Sequence, residues 1–410
     1  MPVGIEAINF YGGRTFLDIR TLFEARKLDM RRFDNLMLKR KSLALPCEDA
    51  VSFGVNAAKP IIDQLSPEEK NRIELVVTAT ESGLDFGKSL STYIHHHLGL
   101  NPACRLFEVK HACYGGTAAF QMAANLIASN ASPGAKALVV ATDISKAAIK
   151  GSYVEPSQGS GAVALLVSNR PDILELDFGA NGYHCFEVMD ACRPTPEIET
   201  GDSDLSLIAY LDCLEHSYDV YSRKVEGADF VDTFAYLAFH TPFPGMVKGA
   251  HRMLMRKLKK APAEVSDADF NRRMIPSLAY CCEIGNIYSA TVYLALCGLI
   301  DTVELNTPKR IGLYSYGSGC CGEFFSGIVT PLSQQKLGRL RKKESLTGRY
   351  ELNMTEYDAL LELGLEWTFG IKDKTVDLTP YQNIYDRAMA GKGLLVLKKI
   401  ENYHREYQWS

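Results

Sequence analysis

Three short apolar runs constrain the fold of this chain more than any other feature: IELVVTAT at 73–80, KALVVATDI at 136–144 and GAVALLV at 161–167. Each reads as a strand followed by a turn or a helical pattern, which is the βα rhythm of an α/β protein. SLSTYIHHHLGL (89–100) and GTAAFQMAANLIASN (116–130) fill two of the gaps as helices. The second opens on small residues directly after Cys113, which sets that cysteine at a strand-to-helix junction.

With 410 residues the chain accommodates several domains or one large duplicated fold. An internal echo favours duplication: GSGAVALLVSNRP (159–171) and GSGCCGEFFSGIVTP (317–331) each place a glycine turn before an apolar strand. Between them CRPTPEIETGDSDLSLIAYL (192–211) is rich in turn formers and acids. The boundary is therefore expected near 168–172, dividing the chain into halves 1–168 and 169–410. The charged stretch from 334 to 364 reads as helix with a solvated face.

Forty-five Lys and Arg stand against 49 Asp and Glu, a formal net charge of −4, so there is no global bias toward nucleic acid or a membrane surface. Any basic docking site has to be local. The N-terminus lacks a basic region followed by an apolar one, and no stretch supplies 18 uninterrupted apolar residues, which gives the expectation of a soluble cytoplasmic protein. The 11 cysteines are odd in number and none falls into paired CxxC spacing, so reduced thiols acting as small buried hydrophobes are expected. His95, His96 and His97 are consecutive on a helix and point in different directions, so no metal site is expected there.

KHACYGGTA (110–118) raises the question of whether Cys113 is a nucleophile or a packed core residue. A cysteine opening a buried helix gains from the helix dipole and free N–H groups, which favour the thiolate and lower its pKa. Gly115 and Gly116 allow close approach of substrate, and the Cys113 amide is placed to donate to a developing oxyanion. Glu81, in TATESG (78–83), ends an almost purely apolar strand, where a carboxylate is either a general acid and base or a cap on the next helix. In AFHTPFPGMVKGAH (238–251), His240 follows an apolar segment and two prolines fix the backbone after it. Lys248 and His251, one to two helical turns on, are candidates to meet a phosphate or an acidic partner. Asn286 in GNIYSA and Ser315 in YSYGSGCCGE are candidates to position a carbonyl.

Taken in order, TESG, ACYGGTAA, the F-H-T-P segment, GNIYSA and SYGSG resemble 3-hydroxy-3-methylglutaryl-CoA synthases of the thiolase superfamily, over essentially the whole chain. FEVKHACYGGTAAFQMA, HTPFPGMVKGAH, GSGCCGEF and the ending ENYHREYQWS look more like the polyketide β-branching synthases of curacin- and bacillaene-type pathways than like primary-metabolism enzymes. The resemblance implies a thiolase fold, with two duplicated α/β halves in a five-layer αβαβα core, usually as a homodimer. It implies that Cys113 takes an acetyl group from a thioester and Glu81 removes a proton from the acetyl methyl. The enolate then attacks the β-ketone of a second thioester, and water releases the product. His240 would hydrogen-bond the incoming thioester or ketone, Asn286 and Ser315 would hold acyl carbonyls, and Lys248 would lie near the pantetheine entrance.

Some positions depart from that pattern. Asp143 matches the family's aspartate after the central strand, but the tyrosine that primary-metabolism enzymes carry four residues later is Ala147, for which Tyr153 is a substitute. DISKAAIKGSYVEPSQGSG is shorter than β-branching members usually carry. Asp190, in VMDACRP, matches an acidic substrate-binding position without the aromatic pair of the primary enzymes, which favours a larger or differently shaped acceptor.

In β-branching, donor and acceptor thioesters hang on the phosphopantetheine of acidic acyl carrier proteins. DMRRFDNLMLKRK (29–41) supplies a local cationic face, and Arg31 and Arg32 are the expected carrier-docking residues. The expected activity is condensation of acetyl from a carrier protein with a β-ketoacyl-carrier thioester, with no metal or nucleotide cofactor. The alternatives are an ordinary synthase using acetyl-CoA and acetoacetyl-CoA, and a non-catalytic thiolase-fold partner that only binds carriers.

Overall fold

The apolar runs pair with one another. In the computed structural model, which describes residues 1–145, 150–152, 154–195, 198–340, 342–365 and 369–410, strand Lys136–Asp143 lies between Ile73–Ala79, parallel to it, and Gly161–Ser168, antiparallel. Arg105–Val109 extends the sheet in parallel beyond Ile73–Ala79, and Gly4–Tyr11 extends it beyond Gly161–Ser168. Every residue of Lys136–Asp143 and Gly161–Ser168 is buried, as strands covered on both faces require. Leu138 and Val140 pack under helices Ala50–Ile62 and Leu90–His97, whereas Ala137, Val139 and Ala141 meet helix Gly115–Ala128 on the opposite face.

Four further strands build a second layer of sheet. Leu174–Cys185, Cys321–Val329 and Lys309–Gly317 form an antiparallel ladder, and Tyr236–Phe239 adds to its edge in parallel. Ile311, Leu313 and Phe325 face helix Thr291–Thr302, while Tyr314, Tyr316 and Phe324 face helices Ser203–Lys224 and Pro244–Lys259. Helices Gly115–Ala128 and Thr291–Thr302 thus share the middle layer, where the ring of Phe120 lies 5.9 Å from Tyr293 and 6.3 Å from Phe325. The result is helix, sheet, helix, sheet, helix, the five-layer thiolase-type α/β architecture expected. The two sheets touch at one corner, where Gly4 and Ile5 pair with Glu175 and Leu174 and make a single nine-stranded series. A side chain at Gly4 would place its Cβ 2.0 Å from the Leu174 carbonyl oxygen, so only glycine permits the join.

Beyond Val329 the chain returns to the first half. Tyr350–Glu351 pairs with Thr15–Asp18, and the hairpin Leu395–Glu401/His404–Trp409 packs against helix Ala50–Ile62. Arg405 donates to Asp49, the N-cap of that helix, at 3.0 Å. The polar stretch 192–211 is more ordered than its composition suggests. It holds a small hairpin, Ala191–Thr195 with Ile198–Gly201, and the start of helix Ser203–Lys224, whose N-cap Asp202 accepts from the amides of Asp204 and Leu205. Among the described residues no helix is long and apolar enough to cross a membrane.

Candidate active site

Parallel strands bring their carboxyl ends to one edge, and three candidate residues follow such ends. Glu81 leaves Ile73–Ala79, Cys113 leaves Arg105–Val109 and Asp143 closes Lys136–Asp143. Although 32 residues separate them in the chain, the Cys113 thiol donates to Glu81 Oε1 at 3.1 Å. Asp143 stands behind the glutamate. Its Oδ1 accepts from the Glu81 amide at 2.7 Å and from the Ser82 amide and the Thr80 and Ser82 hydroxyls at 3.1 Å, and its Oδ2 accepts from the Ser289 hydroxyl at 3.1 Å.

The nucleophile turn is tight. Ala112 has φ 41°, a left-handed conformation that costs an alanine about 1–2 kcal/mol. The amides of Tyr114 and Gly115 donate back to the carbonyls of His111 and Ala112. Tyr114 is in turn pinned to the second half by Glu323, whose Oε2 accepts its hydroxyl at 2.6 Å, while Gln121 and Asn181 hold Oε1.

The electrostatics correct one expectation. Burial, reinforced by the Asp143 charge, pushes Glu81 up to about 8, and burial pushes Asp143 up to about 6. Burial and then the Glu81 charge drive the Cys113 thiol well above its ordinary range, opposite to the lowering expected from the helix terminus. The helix starts only at Gly115, and a dipole end worth about half a charge does not offset full desolvation beside a carboxylate. The resting pair is therefore a thiol held by Glu81 rather than a free thiolate.

His240 and Ser315 come from the second half. Strand Tyr236–Phe239 runs parallel to Lys309–Gly317 with Phe239 opposite Tyr314, and the same register continued by one residue sets His240 alongside Ser315. The His240 amide donates to the Tyr314 carbonyl at 2.7 Å and its carbonyl accepts from the Tyr210 hydroxyl at 2.9 Å. The ring is buried and burial lowers its pKa to about 3, so the imidazole is neutral. His240 Nδ1 and the Ser315 hydroxyl are both buried without a protein partner, each a cost of about 1–3 kcal/mol that a bound carbonyl or hydroxyl would relieve. The same strand walls the nucleophile, since a Cβ at Gly317 would lie 2.5 Å from the Tyr114 nitrogen. Asn286 is half-buried. Its Oδ1 accepts from the Tyr288 amide at 2.9 Å and the Thr291 hydroxyl at 3.0 Å, which leaves its NH2 as the free donor end.

Other candidates have different surroundings. Asp190 accepts from the Tyr316 hydroxyl and the Gly319 amide, each at 2.8 Å, so this aspartate clamps the Gly317–Cys321 turn. His251, expected to reach a phosphate or acidic partner, is fully buried and bonded to Asp269 at 2.8 Å beside Arg273. Lys248 lies 3.6 Å from Asp267 and stays partly exposed. Arg31, exposed, chelates Asp29, the N-cap of helix Met30–Leu36, and Arg32 follows it on that helix. Lys41 does not belong to the cationic face: it is buried, donates to the Glu155 carbonyl at 2.5 Å and is lowered to about 7 by burial. Ala147 and Tyr153 lie outside the described residues. His95 bonds the Asn101 carbonyl, while the His96 and His97 rings pack on each other.

Four residues at the site were not singled out from the sequence. Arg193, on the small hairpin, donates to the Glu81 carbonyl at 3.0 Å and to Glu199 Oε2 at 2.6 Å. Glu199 also accepts from Gln158 Nε2 at 3.0 Å and from the Tyr288 hydroxyl at 3.4 Å. The available signal was an Arg and a Glu flanking a turn in 191–201, directly after a matched acidic position.

Comparison with known proteins accounts for this constellation. Residues 2–172 match the N-terminal hydroxymethylglutaryl-coenzyme A synthase family model and residues 252–408 match the C-terminal one. The polyketide biosynthesis 3-hydroxy-3-methylglutaryl-ACP synthase PksG of Bacillus subtilis is 53% identical over 100% of this chain and 99% of its own length. The chain belongs to the hydroxymethylglutaryl-CoA synthase family. The curacin biosynthetic pathway HMG synthase is 54% identical over the full length of both chains, with a TM-score of 0.97, and has also been solved in complex with acetyl donor-ACP. The hydroxymethylglutaryl-CoA synthase of Enterococcus faecalis is 35% identical over 88% of this chain and 91% of its own. As an HMG synthase, the chain is a carbon–carbon bond-forming, acyl-transferring enzyme.

Proposed function

We propose that this HMG synthase works in polyketide β-branching, taking acetyl from an acetyl-acyl carrier protein and condensing it with a β-ketoacyl-carrier thioester. The observation that carries the chemistry is the 3.1 Å contact between Cys113 and Glu81 inside a buried edge of the sheet. In the first step the thiol proton passes to Glu81 as sulfur attacks the acetyl carbonyl, and the carrier leaves as its free thiol. In the second, Glu81 as carboxylate takes a proton from the methyl of acetyl-Cys113, the enolate carbon attacks the ketone of the second thioester, and the ketone oxygen becomes the product hydroxyl by taking that proton back from Glu81. In the third, water cleaves the Cys113 thioester to a carboxylic acid and returns the thiol.

A methyl proton beside a thioester is too weakly acidic for a carboxylate in water, so the base must be desolvated and the enolate met by fixed donors. Glu81, raised by burial, supplies the first condition. Neutral His240, Ser315 and the NH2 of Asn286 supply donors for acyl and ketone oxygens.

Carrier use is supported by full-length similarity to the curacin synthase that binds an acetyl donor-ACP. We place donor and acceptor phosphopantetheine arms near Lys248 and Asn286. The docking surface is helix Met30–Leu36 with Arg31 and Arg32, which abuts helix Pro244–Lys259 so closely that a Cβ at Gly245 would meet the Asn35 carbonyl. That second helix starts four residues after His240, so a carrier bound there has a short path to the site. We further propose that residues 1–168 and 169–410 are the two related halves and that the enzyme is a cytoplasmic homodimer.

Intact-protein mass spectrometry with acetyl-carrier protein or acetyl-CoA tests this reading. Acetylation absent from Cys113→Ala and faster from the carrier is expected. Equal or faster labelling from acetyl-CoA would assign the chain to the primary reaction instead.

A further inference from the structure

The paired strands Ala191–Thr195 and Ile198–Gly201 reach the catalytic pair through Arg193, and they lose register between Ile198 and Thr200. The extra residue is on the first strand, where Arg193 and Pro194 together oppose Glu199, the residue whose carboxylate accepts from Arg193, Gln158 and Tyr288. Arg193 and Glu199 then tie together separate parts of the chain: the Glu81 carbonyl and Gln158 from the first 168 residues, and the Tyr288 hydroxyl from beyond them. Gln158 bridges Asn286 through the backbone, so the same chain of contacts reaches the proposed carbonyl-binding loop.

Resting on the assignment of Cys113 and Glu81 above, we propose that Arg193 and Glu199 form a latch in which Arg193 positions Glu81 and supplies its counter-charge, while Glu199 aims Arg193. Burial and the carboxylates of Asp143 and Glu199 oppose ionisation of Glu81, while the Cys113 thiol favours it by donating a hydrogen bond. Arg193 is the cation that offsets them, for Glu81 and for Asp143 alike. A guanidinium suits the place because one planar fork meets a carbonyl and a carboxylate at once. With Arg193 gone, Glu81 and Asp143 would share a buried pocket without that counter-ion, and the carboxylate that accepts a proton from the acetyl methyl would form only at still higher pH. The latch makes no contact with Sγ in this structure and is therefore a positioning device, not a catalytic residue.

The test isolates proton abstraction. Enzyme acetylated to completion with a trideuteroacetyl donor is placed in water, and loss of deuterium from acetyl-Cys113 is followed by intact mass across pH; each exchange breaks one C–D bond, forms one O–D bond on Glu81 and returns a solvent proton to carbon. In Arg193→Met the pH midpoint of exchange should rise by at least one unit and the rate at pH 7.5 fall about tenfold, with Arg193→Lys recovering most of the shift. Glu199→Gln, isosteric and able to keep the hairpin folded, should lower the plateau rate about fivefold with the midpoint at or below that of the unsubstituted enzyme. Unchanged midpoints in the Arg193 variants, whatever the plateau, would overturn the latch and leave a structural tie. Failure of the unsubstituted enzyme to acetylate would overturn the Cys113 assignment itself, a separate result that removes the latch with it.

Discussion

Replacing Gly317 by alanine should disable the nucleophile while leaving the fold in place. The added Cβ would sit 2.5 Å from the Tyr114 nitrogen, 2.7 Å from the His111 carbonyl oxygen and 2.8 Å from the Tyr114 Cβ, about 1 Å inside ordinary contact. The offended atoms are mainly backbone, and they belong to the turn that carries Cys113. Glu323 prevents Tyr114 from swinging away, because its carboxylate is itself fixed by Gln121 and Asn181. Relief therefore comes from sliding the turn, at about 1–3 kcal/mol of stability. A displacement near 1 Å between sulfur and its partners costs about 100-fold in rate. Single-turnover acetylation followed by mass spectrometry should fall about that much, with a small drop in thermal midpoint. Gly249→Ala is the control, since its Cβ would meet nothing within 4 Å on helix Pro244–Lys259, and it should leave rate and fold intact. Acetylation by Gly317→Ala at the unsubstituted rate would refute the claim that this strand end walls the nucleophile.

Proton abstraction by Glu81 requires the carboxylate, so its rate should rise tenfold per pH unit below about 8 and level above it, while His240, neutral down to about 3, adds no limb between pH 5 and 9; a flat profile from 6 to 9 would contradict the role. Arg405→Met strips Asp49 of a buried partner at 3.0 Å and should cost about 3–5 kcal/mol in urea denaturation, part of it restored by adding Asp49→Asn; a loss under about 1 kcal/mol would show the pair to be dispensable. Charge reversal of Arg31 and Arg32 to Glu should slow acetyl transfer from the carrier severalfold without changing the thermal midpoint or transfer from acetyl-CoA, and unchanged carrier kinetics would remove these residues from the docking surface.

The central strands were legible because both faces are covered: Lys136–Asp143 and Gly161–Ser168 carry buried residues at every position, and the sequence shows them as unbroken apolar runs. Cys113, Glu81 and His240 were legible as an ordered set, each just after a strand end. Their electrostatics were not, because the pKa of Cys113 depends on a carboxylate 32 residues away and on where the helix begins. The part Asp190 plays in the Gly317–Cys321 turn was not legible, since sequence position does not reveal that Tyr316 and Gly319 donate to it. His251 likewise lay at the right helical spacing to reach outward, but its helix turns that face onto Asp269 and Arg273. Arg193 and Glu199 were hidden in a polar stretch whose meaning comes from a hairpin and one bulge, features set by what the segment lies against.

The most direct test of the account is the fate of the acetyl group in Glu81→Gln. The variant is incubated with acetyl-carrier protein until labelled, the β-ketoacyl-carrier acceptor is added, and the peptide bearing Cys113 is followed by mass. An acetyl-Cys113 adduct that persists beside the acceptor, with no condensed adduct and no branched product, is the predicted result. Condensation at the rate of the unsubstituted enzyme would contradict it and require another base.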